Sequence, residues 1–101
     1  MTEETEALKD VLRHQANVRF PAAARAGEGY PIRFNHCFLR VVYDNLLGAQ
    51  WQTVLKRKEP AIHQLTAEQL ERAIAIGEQL IEDPEVCREL NRRSLTYRGK
   101  A

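Results

Sequence analysis

The chain has 101 residues, of which 44% are hydrophobic and 29% charged, and its 15 Lys and Arg against 14 Asp and Glu give a formal net charge of +1. This length predicts one small domain, and the apolar content with so little net charge excludes an intrinsically disordered chain. The apolar runs are too short to span a membrane, and two cysteines are too few for a disulfide scaffold.

The first ten residues, MTEETEALKD, lack the basic and apolar regions of a secretory signal. The sequence therefore predicts a cytoplasmic protein, in which Cys37 and Cys87 stay reduced. These two cysteines do not have the spacing of a zinc-ligand pair. No other spacing in the chain predicts a metal site or a cofactor site.

The low net charge is the sum of four blocks of alternating sign. Residues 1–10 carry −3, residues 11–58 carry +6, residues 59–91 carry −6 and residues 92–101 carry +4, which together give +1. Blocks of opposite sign attract each other within one chain or between two chains. The near-neutral total therefore argues only against a uniformly basic protein.

Helical spacing and turn residues predict two helices in the first half of the chain. The first covers residues 3–18, with acidic residues in its first turn and Pro21 as its end. Two prolines and two glycines in residues 19–33 indicate a connection. The second helix covers residues 34–58, because apolar residues occupy more than half of its circumference. A strand over FLRVVY is the alternative for its first part.

Two further helices are predicted in the second half. Thr66 and Gln69 form a capping box, and apolar residues then share one stripe over residues 66–82. Asp83 followed by Pro84 starts a second helix, which covers residues 84–95. The predicted fold class is therefore all-α.

The long second helix is apolar on most sides, so the other three are expected to pack around it. Asn35 is its N-cap, unless Pro31 occupies its first position and the helix begins earlier. A basic tail, residues 96–101, follows the last helix.

A polar row interrupts the apolar second helix. Its members recur every four residues and share one face; they are His36, Arg40, Asp44, Gly48 and Gln52, with Tyr43 and Asn45 beside them. One interpretation is a solvated face with an Arg40–Asp44 ion pair. The other is a binding groove, in which His36 exchanges a proton and Arg40 holds an anion. Burial of Arg40 and Asp44 would favour the second.

Two clusters of cations are candidate contacts to an anionic partner. They comprise Lys56, Arg57, Lys58, Arg92, Arg93, Arg98 and Lys100, with Tyr97 available to stack on a base. A helix-turn-helix over residues 69–90 is excluded, because Glu78 and Asp83 would occupy positions that need apolar residues. The acidic third helix would also repel nucleic acid.

The sequence lacks a complete catalytic set. His36 and Cys37 are neighbours on a helix and point about 100° apart, so His36 cannot activate the thiol, and Cys37 is interpreted as a small buried apolar residue. The leading prediction is a binding or accessory protein that contacts another protein or a second copy of itself. One alternative is a nucleic-acid-binding protein, and another is a small-molecule binder or enzyme that uses His36, Arg40, Tyr43 and Asp44.

Overall fold

A computed structural model describes residues 3–100, and every regular element within them is helical, which confirms the all-α class. The α-helices in chain order are α1 (Glu3–His14), α2 (Phe20–Ala26), α3 (Asn35–Leu47), α4 (Ala67–Glu82) and α5 (Pro84–Tyr97). Two short 3-10 segments, Trp51–Thr53 and Ala61–Gln64, lie in the connection between α3 and α4. Within residues 3–100, none of the helices combines the length and the apolar character that crossing a membrane requires.

The first helix is longer than the predicted residues 3–18. A π-helical segment, Gln15–Arg19, joins α1 to α2 without a break, so the rod continues to Ala26. In a regular α-helix the ring of Pro21 would clash with the carbonyl group four residues earlier. In the wider π turn the Phe20 N–H bonds to the Gln15 carbonyl instead, which makes room for the ring. The prediction that Pro21 ends the helix is wrong for this reason.

The second predicted helix is shorter than residues 34–58, because α3 ends at Leu47. Gly48 adopts a left-handed conformation with φ of 67°, and its N–H bonds to the Asp44 carbonyl at 2.8 Å. A glycine in this conformation is a common helix C-cap, since other residues adopt it at a cost. The helix also begins at Asn35 with Phe34 at the N-cap position, so neither proposed start is correct.

The predicted starts of the last two helices are confirmed. The Thr66 hydroxyl accepts from the Gln69 N–H at 3.1 Å, and the Gln69 side chain accepts from the Thr66 N–H at 2.9 Å. The Asp83 carboxylate accepts from the Glu85 N–H at 2.9 Å. Because α5 runs to Tyr97, the first two residues of the predicted tail 96–101 belong to the helix.

The core lies where α3 meets its neighbours. α3 packs against α4 and α5, and α4 packs in turn against α1. Phe20 and Phe38 are fully buried, and their ring centroids lie 4.9 Å apart. This packing places α3 in the interior, as its apolar surface predicts. The edge of α3 that faces the π segment forms one wall of a cavity.

A long-range ion pair joins the positive block of residues 11–58 to the negative block of residues 59–91. Arg19 Nη2 lies 2.6 Å from Glu78 Oε1, and the Gln15 side-chain amide donates to the other oxygen of the same carboxylate at 2.8 Å. The Arg19 hydrogen bonds hold the pKa of Glu78 below its ordinary value. The attraction between blocks that the sequence predicts is present here between the π segment and α4.

Gly77 lies where α4 packs closely against side chains of the π segment and of α3. A Cβ atom at this position would lie 2.5 Å from Gln15 Oε1 and 2.9 Å from Phe38 Cζ. We therefore expect Gly77→Ala to lower the free energy of unfolding by about 1–3 kcal/mol, despite the higher helix propensity of alanine. Urea unfolding followed by circular dichroism measures the change.

The control for Gly77→Ala is Ala75→Gly, which exchanges the same two residue types at an exposed position of α4. It measures the helix-propensity difference, about 1 kcal/mol in favour of alanine. A Gly77→Ala protein that is more stable than the wild type would contradict the close packing described here.

Candidate functional site

A cavity of about 450 Å³ lies between the π segment and α3, and the two 3-10 segments contribute to its walls. Its volume is in the range of pockets that hold small organic molecules. We call it the α3 cavity, because α3 supplies His36, Leu39, Arg40 and Tyr43 to its lining.

One side of the α3 cavity is apolar and aromatic. Leu39, Trp51 and Ile62 line it, and the rings of Tyr43 and Trp51 meet edge to face with centroids 6.0 Å apart. Trp51 reaches this position because the chain turns back after Gly48. An aromatic wall of this kind suits the apolar body of a small ligand.

Nitrogen-bearing side chains also line the α3 cavity. Arg13 comes from α1, Asn17 from the π segment, and His36 and Arg40 from α3. The Asn17 carboxamide accepts from the Asn35 carboxamide at 2.8 Å. The exposed His36 ring stacks on Phe34, with centroids 5.8 Å apart and an angle of 4° between the planes. The lining therefore offers hydrogen-bond donors beside an aromatic wall.

The Tyr43 hydroxyl has no hydrogen-bond partner within residues 3–100, although the residue is only 5% exposed. The one buried side-chain polar atom without a partner in this part of the chain is Gln15 Oε1. The Tyr43 hydroxyl is therefore not fully enclosed by protein, and Tyr43 is one of the residues that line the α3 cavity. Burial raises the pKa of Tyr43 to about 12, and the positive charge of Arg13 opposes the shift, so the hydroxyl keeps its proton at neutral pH.

Arg40 belongs both to the α3 cavity and to the contact between α3 and α5. Its Nη1 donates to the Ser94 hydroxyl at 2.7 Å, and its Nη2 donates to the Asn91 side chain at 2.8 Å. Both acceptors are neutral, and within residues 3–100 no carboxylate lies within ion-pair distance of Arg40. The predicted Arg40–Asp44 ion pair is therefore wrong, because α5 supplies the partners of both residues.

Asp44 is fully buried and joins three separate elements. Its carboxylate accepts from Arg98 Nε at 2.7 Å, from the Ser94 hydroxyl at 2.7 Å and from the Trp51 N–H at 2.9 Å. Arg98 Nη2 also donates to the side chain of Gln52 at 3.0 Å. Asp44 thus ties the end of α5 to α3 and fixes the residue that supplies the aromatic wall.

The structure divides the polar row into two groups. His36 and Arg40 line the α3 cavity together with Tyr43, whereas Asp44 and Gln52 share Arg98 outside it. Gly48 ends α3, so the row does not continue along one helical face as predicted. The side chain of Asn45 donates to two backbone carbonyl groups, at Val41 and Leu90, and belongs to the α3–α5 contact.

The predicted basic clusters are partly engaged within the chain. Arg92 and Arg93 both pair with Glu89, at 2.7 and 3.2 Å. Arg98 is committed to Asp44, and Lys56 lies 4.0 Å from Glu59. Three exposed cations of these clusters have no ion pair within residues 3–100; they are Arg57, Lys58 and Lys100.

Neither cysteine takes part in the α3 cavity. Cys87 is fully buried, and Cys37 is half-buried, so the small-apolar interpretation fits Cys37 less closely than Cys87. Within the described residues, no three His, Cys, Asp or Glu side chains form a group that could hold a metal ion.

Several cavity residues carry no signal in the sequence. Arg13 and Asn17 lie within the predicted first helix, but nothing in their spacing marks them as site residues, and Pro60–Ile62 lie beyond the predicted end of the second helix. Their contribution depends on the π turn and on the chain reversal after Gly48, neither of which follows from helical spacing.

The chain matches no protein-family model, no curated protein and no solved structure.

Replacing Asp44 by Asn tests the buried carboxylate. The change keeps the size of the side chain but removes its charge and turns an acceptor into a donor that faces Arg98. We expect Asp44→Asn to lower the free energy of unfolding by about 3 kcal/mol, as breaking a buried ion pair does. Asp10→Asn removes one partner of the exposed Arg13–Asp10 pair and should cost less than about 1 kcal/mol. Equal losses in the two variants, measured by urea unfolding, would contradict the described network.

Cys87 should be inert in the folded protein. Burial raises the pKa of its thiol to about 11, and the thiolate is the reactive form. In a Cys37→Ser variant, which leaves Cys87 as the single thiol, a disulfide reagent at neutral pH should label the protein only after denaturant is added. Rapid labelling of the native variant, detected by mass spectrometry, would show that Cys87 is accessible.

Proposed function

We propose that this chain is a small-molecule-binding protein and that the α3 cavity is its binding site. The observation that carries the proposal is the hydroxyl of the cavity-lining residue Tyr43, which is not fully enclosed and has no partner in the described chain. A polar group on a largely buried residue usually has a protein partner, and its absence here leaves the bond to a bound molecule or to solvent.

The shape and the chemistry of the α3 cavity support the same proposal. Its volume accommodates a small organic molecule, and Trp51 and Tyr43 supply a flat apolar surface. Polar side chains belong to the same lining, so a ligand with an apolar body and a polar head can contact both kinds of residue. A fragment of about ten non-hydrogen atoms is expected to bind with a Kd in the millimolar range.

This proposal selects one of the functions that the sequence left open. It uses three of the four residues named for a small-molecule site, His36, Arg40 and Tyr43, and gives Asp44 a structural role. A protein partner or a second copy of the chain, a nucleic acid, and a cytoplasmic location stay predictions.

The proposal is tested with two fragments of similar size, phenylacetate and 2-phenylethanol. Trp51 is the single tryptophan, so its indole N–H gives one identifiable signal in a ¹H–¹⁵N correlation spectrum. We expect at least one fragment to shift this signal and the backbone signals of Asn17 and His36 in a saturable manner. If neither fragment shifts them, the proposed function is wrong.

A pair of tyrosine variants separates binding from stability. Tyr43→Phe removes a hydroxyl that has no protein partner, so stability should be unchanged and fragment binding should weaken about fivefold. Tyr30→Phe removes a hydroxyl that donates to the Ile81 carbonyl at 2.5 Å, away from the α3 cavity, so it should lower stability by about 1 kcal/mol and leave binding unchanged. A Tyr43→Phe protein that binds the fragments as tightly as the wild type would exclude a bond between Tyr43 and the ligand.

A further inference from the structure

We propose that the ligand of the α3 cavity is a small organic anion, with an apolar body and a carboxylate or phosphate head. The inference rests on the proposed function and extends it from a binding site to a chemical class. It depends on the charges that line the cavity and on the positions of the nearest carboxylates.

The lining carries positive charge and no negative charge. Arg13 and Arg40 contribute two permanent cations, and the imidazole of His36 lies beside them in the lining. None of the cavity-lining residues in the described part of the chain is an aspartate or a glutamate. An anion in the cavity would therefore be attracted by every charged group that lines it.

The neighbouring carboxylates lie outside the cavity lining, although one of them pairs with Arg13 at the surface. Asp44 is one helical turn from Arg40, but it is fully buried against Arg98 and Ser94. Asp10 contacts Arg13 at 3.1 Å from an exposed position, where its own side chain is 77% accessible to solvent. Glu59 precedes the cavity residue Pro60, but it is exposed and lies 4.0 Å from Lys56.

The two arginines keep donors for an anion. A guanidinium group has five N–H donors, and the hydrogen bonds of Arg40 to Ser94 and Asn91 use two of them, which leaves three. Because both of these acceptors are neutral, the positive charge of Arg40 is not cancelled. Arg13 uses one donor on Asp10 and is partly exposed, so its side chain can turn toward a ligand.

The Tyr43 hydroxyl is a donor of the same kind. It lies on a wall shared with Trp51, and it retains its proton at neutral pH. Arginine and tyrosine donors around one oxygen-bearing head group satisfy a carboxylate or a phosphate, because each has several acceptor lone pairs. An ammonium head group would instead meet cations and find no acceptor carboxylate in the lining.

The inference is tested with four probes that share a phenyl body and differ in the head group. They are phenylacetate, phenyl phosphate, the neutral 2-phenylethanol and the cationic 2-phenylethylamine. Titration followed by the Trp51 indole signal should give Kd values at least about tenfold lower for phenylacetate or phenyl phosphate than for 2-phenylethanol, and the highest Kd for the amine. The preference should decrease between about 20 mM and about 500 mM NaCl, because salt screens charges at a partly open site.

Two arginine variants with the same change in net charge supply the matched control. Arg13→Gln removes a cavity cation and should reduce the preference for the anion over 2-phenylethanol at least threefold. Arg25→Gln removes an exposed cation of α2 that does not line the cavity and should leave the preference unchanged. Thermal unfolding of both variants shows that the fold is retained.

The outcomes distinguish the inference from the proposed function. If 2-phenylethanol binds in the α3 cavity as tightly as both anions, the anion inference is wrong and the binding function stands. If the amine binds most tightly, the charge argument is also wrong. If no probe of the four shifts the Trp51 signal, the binding function itself fails. Phenylacetate compared with phenyl phosphate identifies the preferred head group.

Discussion

The arrangement of this chain depends on one buried carboxylate, that of Asp44. It receives hydrogen bonds from the end of α5, through Ser94 and Arg98, and from the backbone of Trp51. A charge with no exposure to solvent is stable only when such partners surround it, so these elements must be assembled together. The position of Trp51, and with it the aromatic wall of the α3 cavity, follows from this requirement. The cavity is therefore formed by contacts that lie outside it.

The π segment also lines the α3 cavity, and its position there has a different physical cause. Pro21 cannot continue a regular α-helix, and the wide turn before it lets the chain remain helical. Within that turn, Gln15 is directed to α4 whereas Asn17 lines the α3 cavity. A helix that ended at residue 18, as the sequence suggested, would not have included Arg19, which pairs with Glu78.

Local chemistry was sufficient to predict the helix class and the starts of α4 and α5. The capping box of Thr66 and the Asp83–Pro84 pair act through neighbouring residues, so their effect can be inferred without a fold. The helix ends at Pro21 and Gly48 were misplaced, because a π turn and a left-handed cap break the spacing rules on which the predictions relied. The apolar residues beyond Gly48 have helical spacing, although they lie in the connection between α3 and α4. They are apolar because this connection also packs on the core, as Leu55 does.

The candidate site was predictable only in part, for a related reason. Spacing placed His36 and Arg40 on one side of α3, and they do line the α3 cavity together with Tyr43. The same spacing suggested an Arg40–Asp44 pair, although both residues bond instead to Ser94 of α5, and Asp44 also bonds to Arg98, all at least 50 residues away in the chain. Long-range partners of this kind carry no periodic signal, so a polar row on a helix cannot show which of its members meet solvent, a cavity or another helix.

Asp44 and Tyr43 lie next to each other on α3, but their polar groups differ in what they contact. Both carboxylate oxygens of Asp44 accept hydrogen bonds that hold the fold together. A structural role therefore accounts for the charge of this residue. The hydroxyl of Tyr43 bonds to nothing in residues 3–100, and a phenylalanine at this position would fill the same space with the same edge-to-face contact to Trp51. Folding therefore gives no reason for the oxygen atom. Tyr43 lines a cavity whose charged side chains are positive. The anion ligand proposed above would give this proton donor a partner, whereas packing gives it none.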